Sequence, residues 1–206
     1  MLIQHRLIDK KDKQSINMIS PIASMSKITI LGVRASGKTT LANKLGGLFG
    51  IPVTHLDRIF WSKKGGLADD VFVKEVEAII SNNDAWIIEG SLPLSKTLDL
   101  RIAAADTIIF YHLPLYFVLW RQTKRFFKWF NRVRPDIGGD NKQRYPFTWK
   151  EIQHARHYPN QELYAKIAAC QKNKTVIIIK NRGDEKRLLR DIHAYFSAAI
   201  QNYQQQ

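Results

Sequence analysis

The sequence predicts an α/β fold: a parallel sheet with helices on both faces. Three observations carry that expectation. Short apolar runs without polar alternation recur along the chain, as strands buried on both faces require. Segments with apolar residues at helical spacing separate them, which is the pattern of strand–helix–strand crossovers. The first apolar run ends in a glycine-cornered loop that opens a helix.

That first run, Ile28-Thr29-Ile30-Leu31, reads as a buried strand. It breaks at Gly32, and a loop through Arg34, Ala35 and Ser36 reaches Gly37-Lys38-Thr39-Thr40. The following helix has Leu41, Leu45 and Leu48 on one face. Gly32, Gly37, Lys38 and Thr39 meet every fixed position of G-x-x-x-x-G-K-[ST]. Glycines allow the loop dihedrals that turn successive N–H groups inward as a nest for an anion. The helix aims its N-terminal partial positive charge and unpaired N–H groups at the same point. Residues 32 to 40 are therefore the expected phosphate cradle. Lys38 would reach the β- and γ-phosphates, and the Thr39 hydroxyl would complete the shell of a phosphate-bound Mg²⁺.

The remaining elements follow in order. Gly50 caps the first helix, and Ile51 to Asp57 reads as the second strand with its exit. Asp69 or Asp70 caps a helix carrying Phe72, Val76, Ile79 and Ile80 inward, closed by Asn82-Asn83-Asp84. Ala85 to Gly90 is the third strand and Asp106 to Tyr111 the fourth. Leu113-Pro114 opens a helix running to about Phe130. Thr148 with Glu151 fits a capping box, and Pro159 stands near the start of another helix. Thr175 to Ile179 is the fifth strand. Asp184 caps the final helix, with Leu188, Leu189, Ile192 and Phe196 inward. Residues 1–26 are polar and Lys-rich and read as a flexible extension ahead of one domain, 27–206.

A chain of 206 residues with 45% hydrophobic and 24% charged residues fits a single globular domain. The lone cysteine, Cys170, excludes an intramolecular disulfide and reads as a core residue on its helix. No apolar run has the length of a membrane span, and Asp9 to Lys13 interrupt anything resembling a signal peptide. The expected location is cytoplasmic, as a monomer or dimer. The net charge of +14 favours anionic partners: nucleotides, nucleic acid or an acidic membrane surface.

In parallel sheets ligands bind beyond the carboxyl ends of the strands. Asp57, Glu89 and Asn181-Arg182 fall at such ends. Asp57 is suited to orient or deprotonate an acceptor hydroxyl, or to bind Mg²⁺ through water; its plain alternative is a loop or cap residue. Glu89 is the candidate for the carboxylate that holds a metal-bound water near Thr39. Asp106 lies at the wrong end of its strand and is structural. His55, within the second strand, reads as a satisfied structural histidine.

Arg121, Lys124, Arg125, Lys128, Arg132 and Arg134 form a dense basic segment, with no acid between Asp106 and Asp136. A lid that closes over a nucleotide satisfies both their mutual repulsion and the need to neutralise a migrating phosphoryl group. The interleaved Trp120, Phe126, Phe127, Trp129 and Phe130 also fit a nucleic-acid or membrane face, some of them simply facing the core, and the plain alternative is a solvated face. Asn181-Arg182-Gly183-Asp184 is close to a guanine-reading N-K-x-D motif. It follows the last strand, however, and no D-x-x-G glycine accompanies it, so a GTPase is rejected.

With these residues the chain resembles the P-loop kinases of adenylate-kinase type. Among them it is most similar to the bacterial DNA topology modulation proteins, or adenylate-kinase-related kinases. The shared landmarks are Gly32 to Thr40, His55-Leu56-Asp57 with Phe60-Trp61, and Trp86 to Gly90. Further landmarks are Thr97 to Arg101, Ala105 to Thr107, Leu113-Pro114, Leu119 to Arg121 and Arg134-Pro135-Asp136. The resemblance implies a three-layer P-loop NTPase fold with a five-stranded parallel sheet in order 2-3-1-4-5. It implies ATP and Mg²⁺, a mobile lid over about 121–147, and adenine near Asn181 and Arg182. It also implies Arg101 for acceptor binding and Arg121, Arg125 or Arg134 for the transferring phosphate. Glu89 departs from the more usual Asp, and Ser91 to Lys96 departs from the usual sequence after Gly90. The expected activity is transfer of the γ-phosphoryl of Mg·ATP to a small acceptor, with a nucleoside monophosphate as the leading candidate. The rival is a nucleic-acid-associated ATPase or regulator that uses ATP as a switch.

Overall fold

The computed structural model describes residues 22–62, 67–91, 96–131, 149–170 and 174–204. Its centre is β1 (Lys27–Gly32), whose residues from Ile28 to Gly32 are all buried. A five-stranded parallel sheet forms around it in the order β2-β3-β1-β4-β5, with β2 (Val53–His55), β3 (Trp86–Glu89), β4 (Thr107–Tyr111) and β5 (Thr175–Ile179). The three central strands are buried throughout apart from Lys27, whereas β2 and most of β5 are half-buried, as edge strands are. Continuous apolar runs therefore marked the strands that are covered on both faces.

Helices connect the strands: α1 (Lys38–Phe49), α2 (Leu56–Phe60), α3 (Asp69–Asn82), α4 (Lys96–Ala104), α5 (Leu115–Trp129), α6 (Trp149–Arg156), α7 (Asn160–Cys170) and α8 (Arg182–Gln204). Helix α1 buries Leu41 and Leu45 and ends at Gly50, whose φ of 67° lets its N–H return to the Gly46 carbonyl. Asp106 closes the far end of the sheet, accepting hydrogen bonds from the Ser26 N–H, the Ser26 hydroxyl and the Lys27 N–H at 2.7 to 2.9 Å. It is structural, as its position on the strand implied.

Several local expectations need correction. The second strand is shorter than the span from Ile51 to Asp57, because Leu56 turns under the sheet and is fully buried at the start of α2. Asp57 thus stands in the first turn of a short helix. Asp69 and Asp70 do not cap α3. The Phe72 N–H reaches back to the Ala68 carbonyl, which starts the helix one residue earlier and leaves both carboxylates in its first turn, where they favour the helix dipole. Helix α4 was not foreseen from the sequence. The final helix is capped by Asn181, whose Oδ1 accepts from the Gly183 and Asp184 N–H groups at 2.7 and 3.1 Å. Asp184 is its reciprocal partner and accepts the Asn181 N–H at 3.1 Å, so a capping box replaces the single cap. Ile22 and Met25 are buried in the core, so the folded unit begins ahead of Lys27. Thr148 and residues 1–21 lie outside the described residues, as does the Cys170 side chain.

Two adjacent glycines of α1 report opposite environments. A Cβ on Gly46 would meet Val53 Cγ2 at 2.4 Å and the Ile51 carbonyl oxygen at 3.0 Å, whereas one on Gly47 meets nothing within 4 Å. Gly47→Ala should therefore raise stability by about 0.5–1 kcal/mol through helix propensity. Gly46→Ala should lower it by roughly 1–3 kcal/mol through overpacking against β2. Urea unfolding midpoints of the two variants check the pair.

Candidate nucleotide site

The loop after β1 is shaped by three residues with positive φ: Gly32 at 141°, Ala35 at 61° and Gly37 at 103°. Gly32 stands opposite Tyr111 in the β1–β4 register, and a Cβ there would lie 2.7 Å from Tyr111 Cβ. Only a glycine allows that close approach. Ala35 holds a left-handed conformation that costs an L-residue about 1 kcal/mol, a strain that the surrounding loop maintains.

Lys38, on the first residue of α1, is almost wholly buried. Its Nζ donates to the Val33 carbonyl at 2.9 Å, to Ser91 Oγ at 2.8 Å and, more weakly, to Ser36 Oγ at 3.5 Å. Burial pulls its pKa below the usual lysine value, while the charges of Glu89 and Asp57 oppose that shift. Arg125 and Arg34 add to the lowering, which places both arginines in the field of Lys38.

Beside it, Thr39 Oγ1 donates to Glu89 Oε1 at 3.0 Å, and His55 Nδ1 lies 2.9 Å from the same oxygen. The contact follows from the sheet: His55 and Glu89 are register partners at the carboxyl ends of β2 and β3. Burial raises the Glu89 pKa, but the His55 hydrogen bond, the Lys38 charge and the Thr39 hydrogen bond outweigh it and leave the carboxyl below its ordinary 4.5. His55 is the satisfied histidine that its place in the second strand implies, and the register makes the Glu89 carboxylate its partner. The signal lay in two strand ends of equal depth, legible only once the strand order was known.

Arg121 of α5 covers the loop. Its Nη1 donates to the Ser36 carbonyl, and its Nη2 lies 3.5 Å from Glu185 Oε2 on α8. A Cβ on Gly37 would stand 2.7 Å from Arg121 Nη1, so the second loop glycine leaves room for the guanidinium. Phe117 lies under the same group, 5.1 Å from ring centroid to guanidinium carbon. The acidic partner Glu185 had no signature in the sequence, because it is brought from a helix 64 residues away.

Asp57 and Arg101 are coupled to this cluster by charge. Asp57 is half-buried at the exit of β2 and acts electrostatically on both Lys38 and Arg101. Arg101 has no exposed surface and donates from Nε to the Thr97 carbonyl at 3.2 Å. Burial lowers its pKa to about 10, against the opposing influence of Tyr158 and the charges of Glu89 and Asp57. Tyr158 is itself buried, which raises its pKa. Thr40 is exposed, and so are Asn181 and Arg182 at the end of β5. The Asn181 side-chain oxygen is engaged in capping α8. Arg134 lies outside the described residues.

The donor set suits Mg²⁺. Thr39 and Glu89 offer a hydroxyl and an ionised carboxylate side by side, hard oxygen donors of the kind Mg²⁺ takes together with water and substrate phosphates. Among the described residues no group of three or more His, Cys, Asp or Glu forms a protein cage for a metal. A nucleotide would therefore have to supply part of the shell.

The sheet order, the strand–loop–helix and the site at the strand ends together define a three-layer P-loop NTPase fold. No protein-family model matches the sequence, and no curated protein matches it significantly. Among solved structures, the chain is similar to a gluconokinase from Sinorhizobium meliloti 1021 at 15% identity and a TM-score of 0.48, covering 86% of this chain and 95% of that one. A shikimate kinase from Acinetobacter baumannii in complex with shikimate aligns at 14% identity and a TM-score of 0.49, over 89% and 98% of the two chains. A sugar kinase from Janibacter sp. HTCC2649 gives 14% identity and a TM-score of 0.49, over 84% and 95%. These likenesses are distant, none singles out the DNA topology modulation proteins, and the reading of the site rests on its own residues.

Glu89 links the site to acid stability. A carboxyl with a lowered native pKa contributes stability that is complete above its unfolded value and is lost as the pH falls through the native value. Glu89→Gln should therefore flatten the loss of stability below about pH 4.5. Urea unfolding across an acid pH series measures the difference; an unchanged acid limb would refute the assignment.

Proposed function

We propose that this chain is an ATP-dependent phosphotransferase, a P-loop kinase of adenylate-kinase type that moves the γ-phosphoryl of Mg·ATP to a small acceptor. A nucleoside monophosphate or a related metabolite is the leading acceptor. The observation that carries the reading is Arg121, whose guanidinium lies on the loop carbonyl of Ser36, at Gly37 beside Lys38. A phosphoryl group in flight spreads negative charge over its oxygens, and catalysis consists largely of holding cations and N–H groups where that charge develops.

In this reading the N–H groups of residues 32 to 40 cradle the phosphates. Lys38 exchanges its contacts with Val33 and Ser91 for the β- and γ-oxygens. Those protein acceptors hold the ammonium in place beforehand, so it reorganises little when the nucleotide arrives. Thr39 and Glu89 would hold Mg²⁺, which supplies charge neutralisation between the phosphates. Arg121 and Arg125 neutralise the transferring group, and the basic segment over about 121–147, including Arg134, serves as the lid. With an alcohol acceptor Asp57 orients the hydroxyl and takes its proton as the new P–O bond forms and the bond to the ADP leaving group breaks. The phosphate oxygen of a nucleoside monophosphate attacks as an anion and needs no base. Arg101 would serve the acceptor, which must first open the cover over its buried guanidinium. The adenine would rest near Asn181 and Arg182, in a cytoplasmic enzyme.

Lys38→Ala should abolish both the thermal shift produced by Mg·ATP and acceptor-dependent ADP formation in a screen of nucleoside monophosphates and small alcohols. ATP turnover that no acceptor stimulates would sink the kinase assignment. Arg121→Ala should lower kcat by roughly 10²–10³-fold, in line with removal of one preorganised donor to developing charge, with a smaller effect on the KM for ATP. Steady-state kinetics of the full chain separate the two parameters.

A further inference from the structure

The basic segment divides by residue type. On α5 the arginines Arg121 and Arg125 are half-buried, and both lie on the side of the helix that faces the nucleotide loop. The lysines Lys124 and Lys128 are exposed. Between the lysines and the far flank runs a row of exposed rings: Tyr116 is 74% exposed, Trp120 46%, Phe127 73% and Phe130 55%. Tyr116, Trp120 and Phe127 fall within about 40° of one another around the helix axis, opposite the buried Val118 and Gln122. The helix thus buries one face, and its other face is aromatic and cationic, with no acid anywhere along its length.

We propose that this outward face of α5 docks the protein on an anionic membrane surface. Interfacial helices lie in the headgroup plane with aromatic residues inserted and lysines reaching lipid phosphates, and α5 presents both residue types on its exposed face. The charge is complementary: the whole chain carries +14, and Lys124 and Lys128 flank the ring row. Their ammonium groups lie 4.2 Å from the Trp120 ring centroid and 5.4 Å from that of Trp129, with the stems lying back along the helix. Among the described residues no helix is long and apolar enough to cross a membrane.

Two other occupants fit less well. A single-stranded nucleic acid stacks its bases on open ring faces along a groove. Trp120, however, is already stacked on Phe117, with centroids 5.6 Å apart and 27° between planes, and Lys124 covers it as well. Phe127 and Phe130 are braced edge to face against Phe126 at 5.4 and 5.2 Å, which fixes their positions on that face. A second copy of the chain pairing through this face would gather the Lys124 and Lys128 charges of both copies in one interface, with no acid on either helix α5 to offset them.

The test is co-sedimentation of the full chain with vesicles of phosphatidylcholine alone and of phosphatidylcholine containing phosphatidylserine. Binding is expected only to the anionic vesicles, weakening as salt rises. Trp120→Ala combined with Phe127→Ala should lower the partition coefficient more than tenfold. Lys124→Gln with Lys128→Gln should lower it about thirty-fold and keeps the test decisive should the aromatic variant not fold. Vesicle binding is read without nucleotide, so failure of the kinase reading would leave the vesicle result intact. Absence of binding to phosphatidylserine vesicles at low salt overturns the proposal, as does binding that both double variants retain. It is equally overturned if the aromatic variant abolishes binding to a single-stranded oligonucleotide, or a concentration-dependent dimer, in a protein that ignores vesicles.

Discussion

The buried ammonium of Lys38 is the constraint on which the rest of the site depends. A lysine shut away from water must have its charge compensated, and here a carbonyl, a serine hydroxyl and the nearby carboxylate of Glu89 compensate it. The left-handed turns at Ala35 and Gly37, the close contact of Gly32 with Tyr111 and the burial of Ser36 all shape the loop in which that ammonium stands. In the proposed function this arrangement is set up for an anion before one arrives, which is the condition for electrostatic catalysis without reorganisation.

Around this group the parallel sheet acts as a ruler. Because β2 and β3 run in register, His55 and Glu89 end at the same depth and meet on one face, where Thr39 from α1 completes the cluster. The same regularity pairs Gly32 with Tyr111 on the other side of β1. Glu89 thereby becomes an ionised carboxylate with two fixed partners, although its burial alone would favour the neutral acid.

Helix α5 uses the two cationic side chains differently. Arginine, with a planar fork of donors, faces the loop carbonyl and Glu185, where several bonds at fixed angles are available. Lysine, a hydrated point charge on a flexible stem, is left outside and lies against indole rings. One amphipathic helix thus lies on the loop after β1 with one face and, in the two proposals above, addresses a nucleotide on that side and a lipid surface on the other.

Much of this was legible in the residues before any coordinates. The apolar runs at 28–31, 86–88 and 107–111 named the central strands, because burial on both faces leaves no room for alternation. The loop from Gly32 to Thr39 was legible as a turn that opens a helix, because its glycines allow the positive φ values it adopts. Local competition was harder to read. Asn181 and Asp184 share a capping box that either alone could have started, and Leu56 ends a strand early because it is drawn beneath the sheet. What the tertiary structure alone decided were the partners that are distant in sequence: His55 on Glu89, Glu185 on Arg121, and the division of α5 between arginines inside and lysines outside. Such contacts depend on strand order and helix rotation, which emerge only when the whole core packs at once.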